Sequence, residues 1–182
     1  MTERERSLRV ECGTDGRPVG RDGELAGLMS AYQDAVVRSR VLDAVTTELV
    51  RLRCARQHDC RICQTLRLAD AADEGLDDSM ANKIDDYEAS DLEERHKVAL
   101  RIVDAFIWLP TSMSTELVES AHAHFTDAEL AELLLDITKW STQKIHVVLG
   151  TDGADRLPIN DAGVSYFTFD NAGKAASFRA DL

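Results

Sequence analysis

The sequence lacks any long hydrophobic run, and no apolar stretch approaches the roughly 20 residues that a helix needs to cross a bilayer. Its first ten residues, MTERERSLRV, are charged from the third residue onward and lack the apolar segment of a secretory signal. We therefore expect a cytoplasmic protein. Cysteines in that compartment serve catalysis, redox chemistry or metal binding more often than structural disulfides, because the cytoplasm keeps thiols reduced.

Basic residues are scarce as well. The chain has 21 Lys and Arg against 33 Asp and Glu, which gives a formal net charge of −12. No basic run is longer than a few residues. A charge of this sign is repelled by nucleic-acid phosphates and by anionic membrane surfaces. We therefore expect neither nucleic acid nor a membrane as a partner.

Aromatic residues make up only 5% of the chain and prolines number three, yet 44% of the residues are apolar. A chain of 182 residues with this composition can form one domain whose core needs no disulfide or metal. Several glycines and Pro18 predict a flexible N-terminal arm over residues 1–23. Residues 24–150 have helical periodicity. Residues 151–182 form a C-terminal extended tail, in which VSYFTFD is a short strand or lies across a neighbouring subunit.

The helices of the central region can be located from hydrophobic spacing and capping residues. Apolar residues three and four apart predict a first helix from Glu24. Asp43 can cap a second helix that ends near Gln57, and a third runs from about Cys60 to Gly75.

Two capping boxes mark later helices, because a Ser or Thr followed three residues on by Glu satisfies two backbone donors at a helix start. These boxes are Ser90 with Glu93 and Thr126 with Glu129. The helix that Thr126 opens continues to Gly150, and a short helix precedes it over residues 114–125. The prediction is an all-α fold of six or seven helices.

Cys60 and Cys63 stand three residues apart at the start of the third predicted helix. This spacing puts both sulfurs on one face of a helical turn, close enough to bond. The partial positive charge of a helix N-terminus stabilises a thiolate, and Arg61 and Arg67 add cationic charge nearby. The pair alone fits a redox site, half of a metal site or two small core residues.

Glu48 falls on the same face of the second helix as its apolar stripe, which is formed by Val45, Leu49, Leu52 and Ala55. Burial would raise the pKa of this carboxyl group and suit it to moving a proton. The alternative interpretation is an ion pair with an arginine of another helix.

Two segments, ELVRLRCARQHDCRICQTLRLADAADEG and FTDAELAELLLDITKWSTQKIHVVLG, resemble the carboxymuconolactone decarboxylase superfamily. The match is to its alkylhydroperoxidase D-like branch, because Glu48 stands twelve residues before the Cys-x-x-Cys pair. The resemblance implies a helical fold, homo-oligomers and a cofactor-free peroxidase that uses a dithiol or protein reductant. It also implies that Cys63 attacks the hydroperoxide, Cys60 resolves the product as a disulfide and Glu48 belongs to the proton relay. Superfamily members that decarboxylate lack the cysteine pair, so decarboxylation is the weaker alternative.

The chain departs from this pattern at Arg67, where the family motif has a histidine, and at Ile62, where the classical enzymes have another. Arginine cannot take up a proton at neutral pH. The relay is therefore lost or re-routed, and His58 is either its substitute or an exposed side chain. We expect weak or altered peroxidase activity, or disulfide exchange. The helix-dipole argument by itself favours Cys60 as the more acidic thiol.

Two other classes of function remain open at this point. A zinc site could use Cys54, His58, Cys60 and Cys63, although no second ligand pair follows at the usual distance. A protein with the fold but without catalysis could act in assembly or small-molecule binding. The remaining candidates have structural interpretations: surface positions for His122 and His124, packing for His146, core or subunit contacts for Trp108 and Trp140, and an incidental thiol for Cys12.

Overall fold

The computed structural model of the protein describes residues 9–13 and 23–182. Most of the predicted N-terminal arm lies outside these residues, and that prediction is not addressed further. The helices and strands, in chain order, are α1 Gly23–Val36, α2 Ala44–Gln57, α3 Arg61–Thr65, β1 Leu66–Leu68, α4 Ala69–Asp73, α5 Asp78–Asn82, α6 Glu94–Trp108, α7 Thr115–His124, α8 Asp127–Ser141, α9 Lys144–Leu149, β2 Ser165–Phe169 and β3 Ala175–Arg179. Two short 3₁₀ segments, Lys83–Ala89 and Pro110–Ser112, flank α6.

Helix α2 is the centre of the molecule, and apolar side chains pack on two of its sides. On one side it meets α6 and α8, in a cluster that includes Val50, Cys54, Ile102 and Ile137. On the other side Leu49 and Leu52 pack with Leu68, Leu100 and Phe167. Burial on both sides explains why polar residues of α2 are also removed from solvent. The predicted helical fold is confirmed, with one small sheet added.

Two of the predicted helix starts are confirmed by their caps. The Asp43 side chain accepts a hydrogen bond from the Thr46 N–H at the start of α2. Thr126 and Glu129 form the reciprocal capping box that opens α8. The prediction of a capping box at Ser90 was wrong, because α6 begins at Glu94 and its N-cap is Glu93. Ser90 instead ends the preceding 3₁₀ segment, where its hydroxyl donates to the Tyr87 carbonyl.

Two predicted helices are interrupted. The helix expected from Cys60 to Gly75 is divided into α3 and α4 by strand β1. The helix expected to run to Gly150 breaks at Thr142 and Gln143, between α8 and α9. It does end at Gly150, which has the left-handed backbone (φ 74°) typical of a helix C-terminus.

The sheet has the order β1–β2–β3. Strand β1 pairs in parallel with β2, with Leu66 opposite Ser165 and Leu68 opposite Phe167. Strand β3 returns antiparallel to β2. The segment VSYFTFD is thus a strand, and the three-part division of the chain at residues 23 and 150 stays a prediction.

The β2–β3 hairpin packs on α1 at its turn. Gly173 has φ 82° and lies so close to the Asp34 backbone that any side chain there would collide with it. The next residue, Lys174, pairs with the Asp34 carboxylate and donates to the Ser30 hydroxyl at 2.7 Å. Glycine therefore lets the hairpin reach α1 and cover the region between α1 and α8. Within the part of the chain described, no helix has the length and apolar character needed to cross a membrane.

Candidate active site

Cys60 and Cys63 form a disulfide, with their Cα atoms 5.3 Å apart. The chain reverses between α2 and α3 through Asp59, which adopts a left-handed backbone (φ 51°). The Cys60 N–H then bonds the Ala55 carbonyl at 3.0 Å. This turn makes Cys60 the N-cap of α3 and places Cys63 in the first turn, as the spacing predicts.

The two sulfur-bearing residues differ in their access to solvent. Cys60 is fully buried, whereas Cys63 is half-buried and lines a cavity of about 320 Å³. A volume of this order suits a small organic molecule. The cavity lies between α3, α8 and the hairpin, and its walls include Ile62, Leu66, Trp140, Phe167, Phe169 and Phe178, with Arg51 and Lys139 among its polar residues.

Glu48 and Arg51 form a buried ion pair on α2. The Arg51 guanidinium donates to both oxygens of the Glu48 carboxylate, at 2.6 and 2.7 Å, and both side chains are buried. Glu48 also accepts from the Leu68 N–H at 3.2 Å. Glu48 is therefore ion-paired, as the alternative interpretation expected. Its partner lies on the same helix and not on another one.

Arg51 extends this pair to the cysteine segment. Its Nη1 donates to the Cys63 carbonyl at 2.8 Å, and its Nη2 donates to the Leu66 carbonyl. These carbonyls lie in α3 and at the start of β1, where few backbone donors are in reach. Glu48 orients Arg51, and Arg51 holds the backbone that carries Cys63. Glu48 does not itself line the cavity.

Asp152 occupies the start of α3. This buried carboxylate accepts from the Arg61 N–H at 3.0 Å and from its guanidinium at 3.1 Å, while the Asp152 carbonyl accepts from the Ile62 N–H at 3.0 Å. A negative charge there opposes the helix-dipole argument for an acidic Cys60. Accessibility instead favours Cys63 as the reactive thiol, and the assignment of the two roles stays a prediction.

Lys139 was missed by sequence reasoning. It stands on α8 and is only 4% exposed, with its Nζ 3.0 Å from the centre of the Trp140 ring. Burial is the main reason that its pKa falls to about 7. Three residues earlier, burial and the nearby Glu132 raise the pKa of Asp136 to about 7. Asp136 lines a separate cavity of about 230 Å³ behind Trp140.

Comparison with known proteins bears on the fold. No protein-family model matches the chain. A protein of unknown function from Agrobacterium tumefaciens, provisionally described as antioxidant defence protein AhpD, superposes with a TM-score of 0.61 at 22% identity, over 71% of this chain and 90% of that one. An uncharacterised peroxidase-related protein from Silicibacter sp. TM1040 gives 0.58 at 14% identity, over 72% and 71%. The chain therefore has the same fold as these two proteins.

This finding confirms, at the level of the fold, the resemblance carried by the cysteine motif. Closer in sequence are two uncharacterised proteins from two strains of Mycobacterium tuberculosis, each 38% identical over 149 residues. The match covers 78% of this chain and 52% of each relative. The chain thus spans about half the length of the curated relatives it matches.

The side chain of Arg67 is engaged by an acidic residue and by backbone carbonyls. Its guanidinium pairs with Asp78 at 3.2 Å and donates to the carbonyls of Gln64 and Leu66 at 2.7 and 2.9 Å. Burial lowers the pKa of Arg67, with a smaller contribution from Arg51. Arg67 is not among the residues that line the Cys63 cavity. Its contacts hold the end of α3.

Restoring the family histidine by Arg67→His should therefore not increase peroxide turnover. Imidazole cannot span Asp78 and two carbonyls, so we expect the free energy of unfolding to fall by about 2 kcal/mol. Urea titration measures the loss, and peroxide consumption measures the activity. An activity gain of tenfold or more would show that residue 67 reaches the thiols.

His58, the other relay candidate, is buried. The interpretation of His58 as an exposed side chain was therefore wrong. Neither ring nitrogen has a hydrogen-bond partner among the described residues. Burial, with a smaller effect of Lys144, lowers the pKa of His58 to about 4, so the ring is neutral at pH 7. His58 is absent from the cavity walls.

Cys54 belongs to the core. It is fully buried in the cluster shared by α2, α6 and α8. Burial, with a smaller effect of Asp136, raises its thiol pKa to about 12, so it is not a thiolate at neutral pH. Among residues 9–13 and 23–182, no group of three or more His, Cys, Asp or Glu side chains is arranged to hold a metal ion.

The histidines and tryptophans noted in the sequence differ in exposure and contacts. His122 is exposed, with Nδ1 3.6 Å from Asp127. His146 packs its Nδ1 3.0 Å from the Thr151 hydroxyl. Trp140 is buried, whereas Trp108 is 68% exposed and donates to Gln57 at 2.9 Å. A subunit contact at Trp108 stays a prediction.

Proposed function

We propose that this protein is a thiol oxidoreductase that reduces hydroperoxides through a dithiol–disulfide cycle of Cys60 and Cys63. The observation that carries the proposal is the unequal burial of the bonded pair. Cys63 opens on a cavity large enough for an organic hydroperoxide, and Cys60 is buried directly behind it. A peroxidatic thiol has to meet substrate, whereas a resolving thiol only has to meet its partner sulfur.

The cycle starts from the reduced pair. The Cys63 thiolate attacks the terminal oxygen of the hydroperoxide, the O–O bond breaks, and the products are a Cys63 sulfenic acid and an alcohol. The Cys60 thiol then attacks the sulfenic sulfur, which releases water and forms the disulfide. An external dithiol reduces the disulfide through a mixed disulfide at Cys63, the accessible sulfur.

Arg51, on the cavity wall, and Glu48, which does not line the cavity, support this chemistry. The Arg51 guanidinium lies beside the Cys63 carbonyl and adds positive charge that favours the thiolate over the thiol. Glu48 holds Arg51 in place through two short hydrogen bonds. In this proposal Glu48 is a positioning residue, and its place in a proton relay remains a prediction.

The expected homo-oligomer is part of the proposal. Large apolar side chains are exposed on α1, at the end of α6 and on α9, namely Leu25, Leu28, Trp108, Leu109, Ile145 and Val148. A surface on which such side chains are contiguous commonly marks a protein interface. Light scattering on the purified protein would give the subunit number.

Replacing Cys63 by serine should abolish hydroperoxide consumption, because serine forms no sulfenic acid. In Cys60→Ser the first step should still occur and the sulfenic acid should accumulate, since nothing resolves it. The assay is consumption of cumene hydroperoxide with a dithiol donor, and dimedone labelling read by mass spectrometry detects the sulfenic acid.

Cys12→Ser is the matched control, because Cys12 lies outside the site and should leave turnover unchanged. Unchanged turnover in Cys63→Ser would refute the proposal. Cysteines that stay reduced in the wild-type protein under excess hydroperoxide would favour the alternative, a small-molecule-binding protein with this fold and no catalysis.

A further inference from the structure

We propose that Lys139 is the catalytic acid–base of this site: its amine accepts the proton of the Cys63 thiol, and its ammonium returns that proton to the leaving oxygen of the hydroperoxide. This inference rests on the proposed function and deepens it. It supplies the proton relay that the chain lacks at Arg67.

Arg51, Lys139 and Lys174 line the cavity, and the contacts of Lys139 leave its amine available to a substrate. Arg51 is saturated by Glu48 and by two carbonyls, and Lys174 is paired with Asp34 and Ser30. Among the described residues, the Lys139 ammonium makes no hydrogen bond or ion pair, and its contacts are the faces of Trp140 and Phe169, at 3.0 and 5.5 Å from the ring centres. A side chain 96% buried on a cavity wall, whose amine makes no hydrogen bond among the described residues, is suited to a proton or ligand that enters the cavity.

The surrounding charges allow both protonation states of Lys139. Burial and, to a smaller extent, Arg51 of α2 lower its pKa, whereas Asp136 of α8 and Asp34 of α1 raise it, with the result near 7. Lys174 offsets the charge of Asp34. An acid–base group works best when its pKa is close to the working pH, because it can then both take and give a proton.

The proton balance closes over one oxidation. The amine of Lys139 takes the proton of the Cys63 thiol, which leaves a thiolate and an ammonium. The thiolate bonds to the terminal oxygen of the hydroperoxide as the O–O bond breaks, and the departing alkoxide takes a proton from the ammonium. The products are the sulfenic acid, the alcohol and the neutral amine, with no net proton gained or lost.

Other titratable residues near the cysteines are excluded by position or by their ion pairs. Asp34 lines the cavity but is paired with Lys174. Glu48 is bound to Arg51 and does not line the cavity, and neither His58 nor Arg67 lines it. Lys139 and Cys63 contribute to the same cavity, so a single bound hydroperoxide can touch both. The proton transfers are therefore assigned to Lys139, on the wall of the cavity that Cys63 also lines.

The test compares three reactions of Cys63 at pH 7 in wild type and in Lys139→Met. Iodoacetamide reports thiolate formation alone. Peracetic acid adds O–O cleavage but releases acetate, which needs no proton. Cumene hydroperoxide releases an alkoxide, which does.

We expect Lys139→Met to slow the first two reactions by one common factor of about 10 and to slow cumene hydroperoxide reduction by a further factor of about 100. Loss of folding would not separate the substrates in this way. In the wild type, the ratio of the cumene hydroperoxide rate to the alkylation rate should fall as the pH rises above 7, because the ammonium disappears. This ratio should not depend on pH in Lys139→Met.

Lys139→Arg is the matched control, because it keeps the charge but does not exchange a proton at neutral pH. It should alkylate like wild type and reduce cumene hydroperoxide as slowly as Lys139→Met. Wild-type rates with cumene hydroperoxide in either variant would overturn the role of Lys139 and leave the dithiol cycle intact. A wild-type protein that alkylates but reacts with no peroxide would refute the proposed function itself, and this inference with it.

Discussion

Replacing Arg51 by methionine is expected to lower the free energy of unfolding by about 3–5 kcal/mol, the usual cost of removing one partner of a buried ion pair. The change leaves the buried Glu48 carboxylate without its cation. It also removes the hydrogen bonds that Arg51 donates to the carbonyls of Cys63 and Leu66. These groups lie on the segment that carries the cysteine pair, so loss of stability should come with loosening of α3.

Equilibrium unfolding in urea, followed by circular dichroism, measures this effect. The matched control is Arg40→Met, which removes an ion pair with Asp70 whose side chains are 67% and 45% exposed. An exposed pair of this kind contributes at most about 1 kcal/mol. The double variant Glu48→Leu/Arg51→Met should be more stable than Arg51→Met alone, since it leaves no unpaired buried charge. Equal losses in Arg51→Met and Arg40→Met would show that the buried pair is not what secures α3.

The parts of the fold that follow local rules were predictable from the sequence. Asp43 and Thr126 each bond a backbone N–H within their own helix start, so spacing alone identified them. The cysteine turn was predictable for the same reason. Glu48 could be identified as buried because it falls on an apolar stripe, but its partner Arg51 is polar and gave no comparable signal.

The interruption of the helix expected from Cys60 to Gly75 depends on residues far along the chain. Leu66 to Leu68 form a strand because β2, about a hundred residues later, offers a paired edge. Asp152 reaches the start of α3 from a similar distance. Tertiary pairing of this kind overrides helix propensity and has no local signature in residues 60–75.

Lys139 was not recognisable because it lies at the flank of the apolar stripe of α8. Leu133, Ile137 and Trp140 define that stripe, and a flanking lysine is ordinarily solvated. In this protein α2 and α1 both contact α8, and Phe169 of the hairpin covers Lys139 as well. The C-terminal hairpin therefore places Lys139 in a cavity wall and not on the surface. This burial depends on the packing of the hairpin and has no signal in the sequence of α8.

The burial of Lys139 carries a cost in stability that depends on pH. Its pKa is about 7 in the folded protein against an ordinary value of 10.5, so the unfolded chain binds more protons between these values. The free energy of unfolding should therefore rise as the pH increases from 7 to 10.5. Lys139→Met removes the titrating group, so we expect it to stabilise the protein by on the order of 3 kcal/mol at pH 7 and by less than about 1 kcal/mol at pH 10.

Urea titrations of both proteins at pH 7, 8.5 and 10 test this expectation. The titration of Asp136 does not interfere with this test. Its pKa is raised from 3.8 to about 7, so its contribution to the free energy of unfolding changes mainly below pH 7. Lys144→Met, an exposed lysine on α9, should change stability by less than about 0.5 kcal/mol at every pH. A stability difference between wild type and Lys139→Met that stays constant from pH 7 to 10 would mean that Lys139 keeps an ordinary pKa. In that case the lysine would be a fixed cation at neutral pH, able to hold a thiolate by charge but unable to accept its proton.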